Sequence, residues 1–526
     1  MSSERKAVSA KGMTLATILV MAGLVFSRAS GFLRDIFVGI KFDDPVFRDG
    51  YTLAFNIPDL VYNLLIGGSI QSAITPSLSA SIAAGEEERG IRAVSTFISF
   101  MSVLMFIACT LATIFSVPLY SFLFNDANPE TTYLAGMASK WLFPQIIFMM
   151  LAALCIGILN AYKRFGSTAF GPTIYNIFVL LSIIVFAGNS QRQLMNTTLG
   201  IMGAALIYFL FQFFVGRDKL SKFKFIWAPG DKDFHALLKR ALPILVSASV
   251  VQINLYILNA FVVSLPGDGN VYALRNASTT WQLPYGIFAV AIGNVMLPTL
   301  AEHYSKKDYK GASELLGNRL RKALFLTIPS AVLMFILNVD VIKAIFQWKS
   351  TYTDDDARRA GVLLAGYSIA IVTHTIVFIM NQAFYAIGKT KVPLFAGCVG
   401  LITNPVICYL FIPHFGAIAL TLAYSFTSIL QMLILCYLYA RNKELRPHGF
   451  FAFFMKEIII IVLMVVFLGL INLRYHEVTG KMYELLSLAT RVAACLTIYF
   501  VGALFLRMPE ADEWLRVIRS KFAKSK

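Results

Sequence analysis

The sequence predicts an all-α polytopic membrane protein of about 14 transmembrane helices, arranged as two pseudo-repeated six-helix lobes followed by two C-terminal helices. Three observations predict it. Hydrophobic residues make up 57% of the 526-residue chain, above the share expected of a soluble domain. Apolar stretches of about 20 residues, the length that crosses a bilayer, recur from end to end. Proline-marked patterns in the first half return six spans later.

Hydropathy and loop punctuation place the spans at 13–40, 51–80, 93–124, 132–161, 168–188 and 197–216, then 237–264, 271–303, 322–346, 359–386, 393–412 and 416–439, and finally 452–472 and 487–507. Residues 1–216 form the first lobe, 217–236 a basic linker, 237–440 the second lobe, 441–508 the last two helices and 509–526 a tail. The repeat rests on two echoes. Pro58 and Pro76 in the second span parallel Pro284 and Pro298 in the eighth, each pair with glycine between. Asn160-Ala161-Tyr162 with a basic turn and Pro172 parallels Tyr385-Ala386-Ile387 with Lys389, Lys391 and Pro393. In transporters such repeats place a substrate site where the lobes meet.

Lysine and arginine concentrate at the N-terminus, in alternate loops and in the tail, which puts both ends in the cytoplasm. The net charge of +17 is therefore a topology signal and not a nucleic-acid surface. Arg5, Lys6 and Lys11 precede an apolar stretch with no clear cleavage site, which reads as a retained first helix. The six cysteines lie in apolar spans without CxxC spacing, as small buried hydrophobes. In the tail, Trp514, Leu515, Val517, Ile518 and Phe522 alternate with Arg516, Arg519, Lys521 and Lys524, the pattern of an amphipathic helix on an anionic leaflet.

The candidate site starts from Arg28 and Arg34, inside the first span. Each arginine costs roughly 2.5–3.5 kcal/mol to insert at the centre of a membrane helix, a cost that marks a polar cavity. Six residues apart they lie on different faces of a regular helix, and Gly31 between them is placed to bend or unwind it so that both converge. Two guanidiniums offer the planar donor forks that suit a phosphate or pyrophosphate. Asp35 and Asp49 either hold an arginine when the site is empty or bind sugar hydroxyls. The competing reading of Arg34 and Asp35 is an ion pair reaching outward to the interface. In span eight, Arg275, Thr279 and Gln282 share one helix face and extend the polar surface, with Pro58 and Pro284 as hinges. Asn254 and Asn381 offer oxygens to a sodium ion, or hydrogen-bond between helices. Asp59 and Lys140 read equally as a structural pair or as functional groups.

No phosphate loop, HExxH pair or GxSxG elbow occurs, so the chain reads as no enzyme. Asp354-Asp355-Asp356, followed by Arg358 and Arg359, reads as a charged helix start.

Ser27-Arg28-x-x-Gly31-x-x-Arg34-Asp35, the stretch Asp49 to Pro58, and Pro284-x-Gly286 through Leu297-Pro298 resemble the MurJ-type lipid II flippases, of the MviN family in the multidrug/oligosaccharidyl-lipid/polysaccharide exporter superfamily. The resemblance runs from about residue 14 to 505. It implies that Arg28 and Arg34 are cavity arginines and that Asp49 is the acidic residue entering the second helix. The chain departs from the family pattern at Tyr62, and at Thr279 with Arg275 one turn earlier, where some members carry further arginines.

What the resemblance implies is a flippase in a bacterial cytoplasmic membrane. It would move undecaprenyl-pyrophosphate-linked peptidoglycan precursor from inner to outer leaflet by alternating access, in contact with membrane lipids and the cell-wall synthesis machinery. No cofactor is expected; sodium, protons or the membrane potential would reset it. An exporter of another polyprenyl-linked glycan or of drugs is the alternative, and a membrane glycosyltransferase a more distant one.

Overall fold

A computed structural model describes residues 26–65, 69–162, 164–441, 450–473 and 480–513, and every regular element among them is a helix. Residues 26–41 form α1. There follow α2 (Pro45–Ala54), α3 (Asn56–Leu65), α4 (Ser69–Ala83), α5 (Glu87–Ile114), α6 (Ser116–Leu123), α7 (Pro129–Ala161), α8 (Phe165–Phe186), α9 (Gln191–Val215), α10 (Arg217–Leu220) and α11 (Lys232–Val263). Then come α12 (Asn270–Pro284), a π-helical segment (Tyr285–Val290), α13 (Ala291–Ser305), α14 (Tyr309–Ile336), α15 (Asn338–Phe346), α16 (Asp354–Ala386), α17 (Lys391–Phe415), α18 (Ile418–Ala440), α19 (Phe450–Leu473) and α20 (Lys481–Phe505). The first part of span one and the amphipathic tail from Trp514 lie outside the described residues.

Polar caps set several helix starts. Asp44 and Asn128 each accept a backbone N–H two residues on, with proline next in the chain, and Thr353 forms a capping box with Asp356. Arg359 then pairs with Asp355 at 2.7 Å and Lys343 with Asp354 at 2.7 Å, so the acidic run is the start of α16.

Most spans fall within a few residues of the expected limits. Among the described residues, four do not form single regular helices. Span two begins at Pro45 and breaks at Phe55, span three breaks at Phe115, span nine turns by 87° between α14 and α15, and span eight carries the π-helical segment. Prolines explain part of this, because a proline supplies no N–H to the carbonyl four residues earlier. Pro58 orphans the Ala54 carbonyl, and the buried Tyr120 hydroxyl of α6 donates to it at 2.6 Å. Tyr120→Phe should leave that carbonyl unsatisfied at a cost of about 1–3 kcal/mol. The expected reading is a lower thermal midpoint in detergent; an unchanged midpoint would show that the cap is dispensable.

The chain divides into two compact units, Met1–Tyr272 and Ala273–Lys526. In the first, α7 is the central helix, buried along most of its length and packed against α9, α2, α4, α5 and α6. In the second, α16 holds the same place against α18, α14, α15 and α13. The two are both 33 residues long and stand six spans apart, so the duplication is visible in packing as well as in sequence. Helix α11 packs on α3, α4 and α5 and so belongs to the first unit by contact, although the sequence reading begins the second lobe with it. At its start Arg89 grips Asp233 at 2.6 Å, which holds that exposed carboxyl below its usual range. Phe234 packs on Phe97 and Phe100. The last two helices pack on each other and on α14 and α15, within the second unit.

Candidate functional site

Helix α1 runs unbroken through Gly31, so the expected unwinding there does not occur. A residue spacing of six therefore keeps Arg28 and Arg34 on different faces. Arg28 is exposed. Arg34 turns inward and pairs with Asp35 at 3.0 Å, the two side chains only 18% and 9% exposed, so this pair is packed inward and does not reach outward to the interface. Both Nε and Nη2 of Arg34 fall on one carboxylate oxygen, Oδ1, and a guanidinium carries five N–H donors. The pair thus orients the fork while leaving it chemically suited to an oxyanion.

Gly31 serves packing. Asn176 of α8 donates to the Ser27 carbonyl at 3.1 Å, and a Cβ on Gly31 would meet Asn176 Nδ2 at 3.6 Å, an ordinary contact. Gly31→Ala should therefore fold and gain about 0.5–1 kcal/mol of helix stability. A slightly raised thermal midpoint is expected, and loss of folded protein would instead mean that this glycine must bend.

Asp49 is placed differently from either sequence reading. It is buried, and its carboxylate accepts the backbone N–H groups of Gly269 at 2.8 Å and Tyr272 at 2.9 Å. It therefore caps the first turn of α12 from a distant helix, where a negative charge meets the positive end of the helix dipole. The neighbouring Arg48, also buried, lies 5.8 Å from the centre of the Tyr272 ring, and the Tyr272 hydroxyl donates to the Asp35 carbonyl at 2.7 Å. A Cβ on Gly39 would come within 2.7 Å of that hydroxyl, so a larger residue there would push the tyrosine off the Asp35 carbonyl. Arg48 and Tyr272 were missed in the sequence; the adjacency of Arg48 to Asp49 was the only available signal. Beside this cluster lies a cavity of about 420 Å³ lined by Asp49, Asp126, Thr131 and Asp268, whose acidic character suits no phosphate.

In the second unit, Arg275 and Thr279 are half-buried and Gln282 is exposed, its amide donating to Ser278 at 3.1 Å. The opposite face of α12 is anchored: Asn276 is buried and donates to the Tyr352 hydroxyl, and Trp281 packs among Tyr285, Tyr367, His374 and Tyr424. Pro284 ends α12, and the wide turn of the π-helical segment follows at once, so this hinge position coincides with an irregularity in the helix. Pro58 is buried in α3 beside the break at Phe55. Asp59 is exposed and Lys140 half-buried.

Of the two sodium candidates, Asn254 lies in α11 with its side chain outside the described residues, and Asn381 lies in α16 of the other unit. The Asn381 Oδ1 is buried with no hydrogen-bond partner among the described residues, an acceptor of the type a hard cation takes. Among the described residues, no three His, Cys, Asp or Glu side chains gather in a metal-binding group.

Two units, each built on a long buried central helix, with arginines in the first span and proline-broken helices beside them, define a polytopic protein of the exporter fold. The chain belongs to the lipid II flippase MurJ family, whose sequence model matches residues 42–492. Arg28 and Arg34 precede the matched stretch. A probable lipid II flippase MurJ of Buchnera aphidicola subsp. Acyrthosiphon pisum is 28% identical over 469 residues, covering 87% of this chain and 90% of the relative. The lipid II flippase MurJ of Burkholderia cenocepacia is 25% identical over 510 residues, covering 93% and 96%. Among solved structures, a lipid II flippase MurJ in an inward closed conformation matches with a TM-score of 0.79 at 23% identity, covering 93% of this chain and 99% of the other. An inward-facing multidrug resistance MATE family transporter of the MOP superfamily matches with a TM-score of 0.66 at 14% identity, covering 81% and 98%. These two likenesses concern the fold.

Proposed function

We propose that this protein is a lipid II flippase. It moves the undecaprenyl-pyrophosphate-linked peptidoglycan precursor from the inner to the outer leaflet of a bacterial cytoplasmic membrane by alternating access, with both chain ends in the cytoplasm, and performs no catalysis. The observation that carries the reading is Arg34, packed inward in an apolar helix of a MurJ-family chain with its fork steadied by Asp35. Arg34 grips the pyrophosphate, and Arg28 meets the anionic headgroup from another face of α1. Arg275, Thr279 and Gln282 meet the glycan or peptide, Asp49 positions the start of α12 without touching substrate, and the prenyl tail stays in lipid.

The headgroup is anionic, so the membrane potential contributes about 2.3 kcal/mol per charge per 100 mV to the steps that move it. That potential, or a sodium or proton gradient, resets the carrier, and the cell-wall synthesis machinery takes up the product. The test is leaflet transfer of labelled lipid II in bacterial cells depleted of their own flippase. Restored transfer is the expected result. A well-folded protein that restores none would point to another exported lipid or a drug.

A further inference from the structure

The last two helices carry a buried acid that plays no part in the proposed arginine grip. Glu457 of α19, Tyr499 of α20 and Phe325 of α14 are all at most 2% exposed. The Tyr499 hydroxyl oxygen lies 2.7 Å from the Phe325 carbonyl oxygen, 2.6 Å from Glu457 Oε1 and 2.9 Å from Glu457 Oε2.

The proton count in this cluster is informative. Pro329 stands four residues after Phe325 inside α14, so the Phe325 carbonyl has no N–H of its own helix to accept. In an apolar setting that carbonyl needs another donor. The Tyr499 hydroxyl reaches it, and a tyrosine has one proton to give. Once that proton is on the Phe325 carbonyl, the short contact between Tyr499 and Glu457 is a hydrogen bond only if the carboxyl donates. An ionised Glu457 would instead set three acceptors around one hydroxyl proton.

The surrounding charges agree. Glu510, buried just beyond α20, adds negative charge. Three cations of α14 and α19 are engaged elsewhere: Arg321 of α14 donates to Glu510 at 2.9 Å, Lys322 of α14 pairs with Glu513, and Lys456 of α19 donates to the Arg507 carbonyl at 3.3 Å. Glu457 has no ion-pair partner among the described residues. A buried carboxylate without one is strongly disfavoured.

We propose that Glu457 is a proton-binding site, loaded while α19 and α20 are docked on α14 and discharged when Tyr499 leaves the Phe325 carbonyl. On undocking, the Tyr499 proton turns to the carboxylate, the carboxyl O–H bond breaks with its electron pair staying on oxygen, and the proton passes to water. The docked form holds the extra proton, so docking weakens as pH rises. This site stands apart from the lipid II reading and survives if another substrate is moved.

The test is infrared spectroscopy of the full-length protein in lipid nanodiscs across a pH series, following the C=O stretch of neutral carboxylic acids. A band present at neutral pH, fading as pH rises, absent from Glu457→Gln and retained in Glu510→Gln, is expected. Pro329→Ala restores an N–H to the Phe325 carbonyl and frees the Tyr499 proton for the carboxylate. Its band should fade about one pH unit lower, a tenfold change in proton affinity. A spectrum identical in the parent and Glu457→Gln would overturn the proposal, as would a Pro329→Ala titration that superimposes on the parent's. The Pro329→Ala comparison stands even if Glu457→Gln fails to fold.

Discussion

Arg28→Ala is expected to cut lipid II transfer at least tenfold while leaving the protein as stable as its parent. A hydrogen bond to a charged group contributes about 1.5–3 kcal/mol, which is roughly one to two orders of magnitude in an equilibrium constant. Arg28 is exposed, so its removal disturbs no packing. Arg34→Ala should be more severe for two separable reasons: it removes a donor fork, and it takes the Arg34 ion pair away from the buried Asp35. Breaking a buried pair from one side costs about 3–5 kcal/mol. The double change Arg34→Ala with Asp35→Asn removes the buried carboxylate charge as well, so it should recover stability without recovering transfer. Arg34→Lys keeps the charge but loses the fork and should fall between. Transfer assays at matched expression, run beside thermal denaturation, separate the two effects. Transfer that survives both alanine changes would sink the pyrophosphate grip.

Asp49→Ala is the second large effect, and it should appear as lost stability before any substrate is added. The carboxylate satisfies two backbone N–H groups at the start of α12, and each orphaned group costs about 1–3 kcal/mol. Asp49→Asn retains one acceptor oxygen and should lose about half as much. The disturbance passes through Tyr272 to the Asp35 carbonyl and so reaches the segment that carries Arg34. A sugar-binding Asp49 behaves otherwise: its alanine variant melts like the parent, and lipid II no longer protects it. Thermal denaturation with and without lipid II distinguishes these outcomes, and an unchanged midpoint would remove Asp49 from its capping role.

Much of the fold was legible because crossing a bilayer demands long apolar runs, and α7 or α16 could be placed from hydropathy alone. Irregular spans were harder. Proline marks a carbonyl as orphaned, but not which hydroxyl will satisfy it: Tyr120 lies 66 residues from Ala54 and Tyr499 lies 174 from Phe325. Arg28 and Arg34 stood out because charge is costly in an apolar run. Asp49 stood out too, but its partners at Gly269 and Tyr272 are 220 and 223 residues away, so sequence proximity directed it to the wrong neighbours. Gly31 was read for its freedom, whereas the helix packed around it stays regular and gives Asn176 an approach. Glu457 was not singled out at all, since one acid in an apolar run carries no sign of the tyrosine opposite.

The wide turn at Tyr285–Val290 behaves like a dislocation in a crystal. It stores one surplus residue in an otherwise regular lattice, and each residue of a regular helix accounts for about 100° of rotation. Everything after it, including Asn294 and Pro298, is therefore phased differently from the Arg275 stripe before it. Such a defect can glide by trading which carbonyl is passed over, turning only the residues it crosses while both ends stay anchored. Deleting one residue within Tyr285–Val290 would anneal it, leaving an α-helix continuous in phase that has lost a degree of freedom and gained nothing in length.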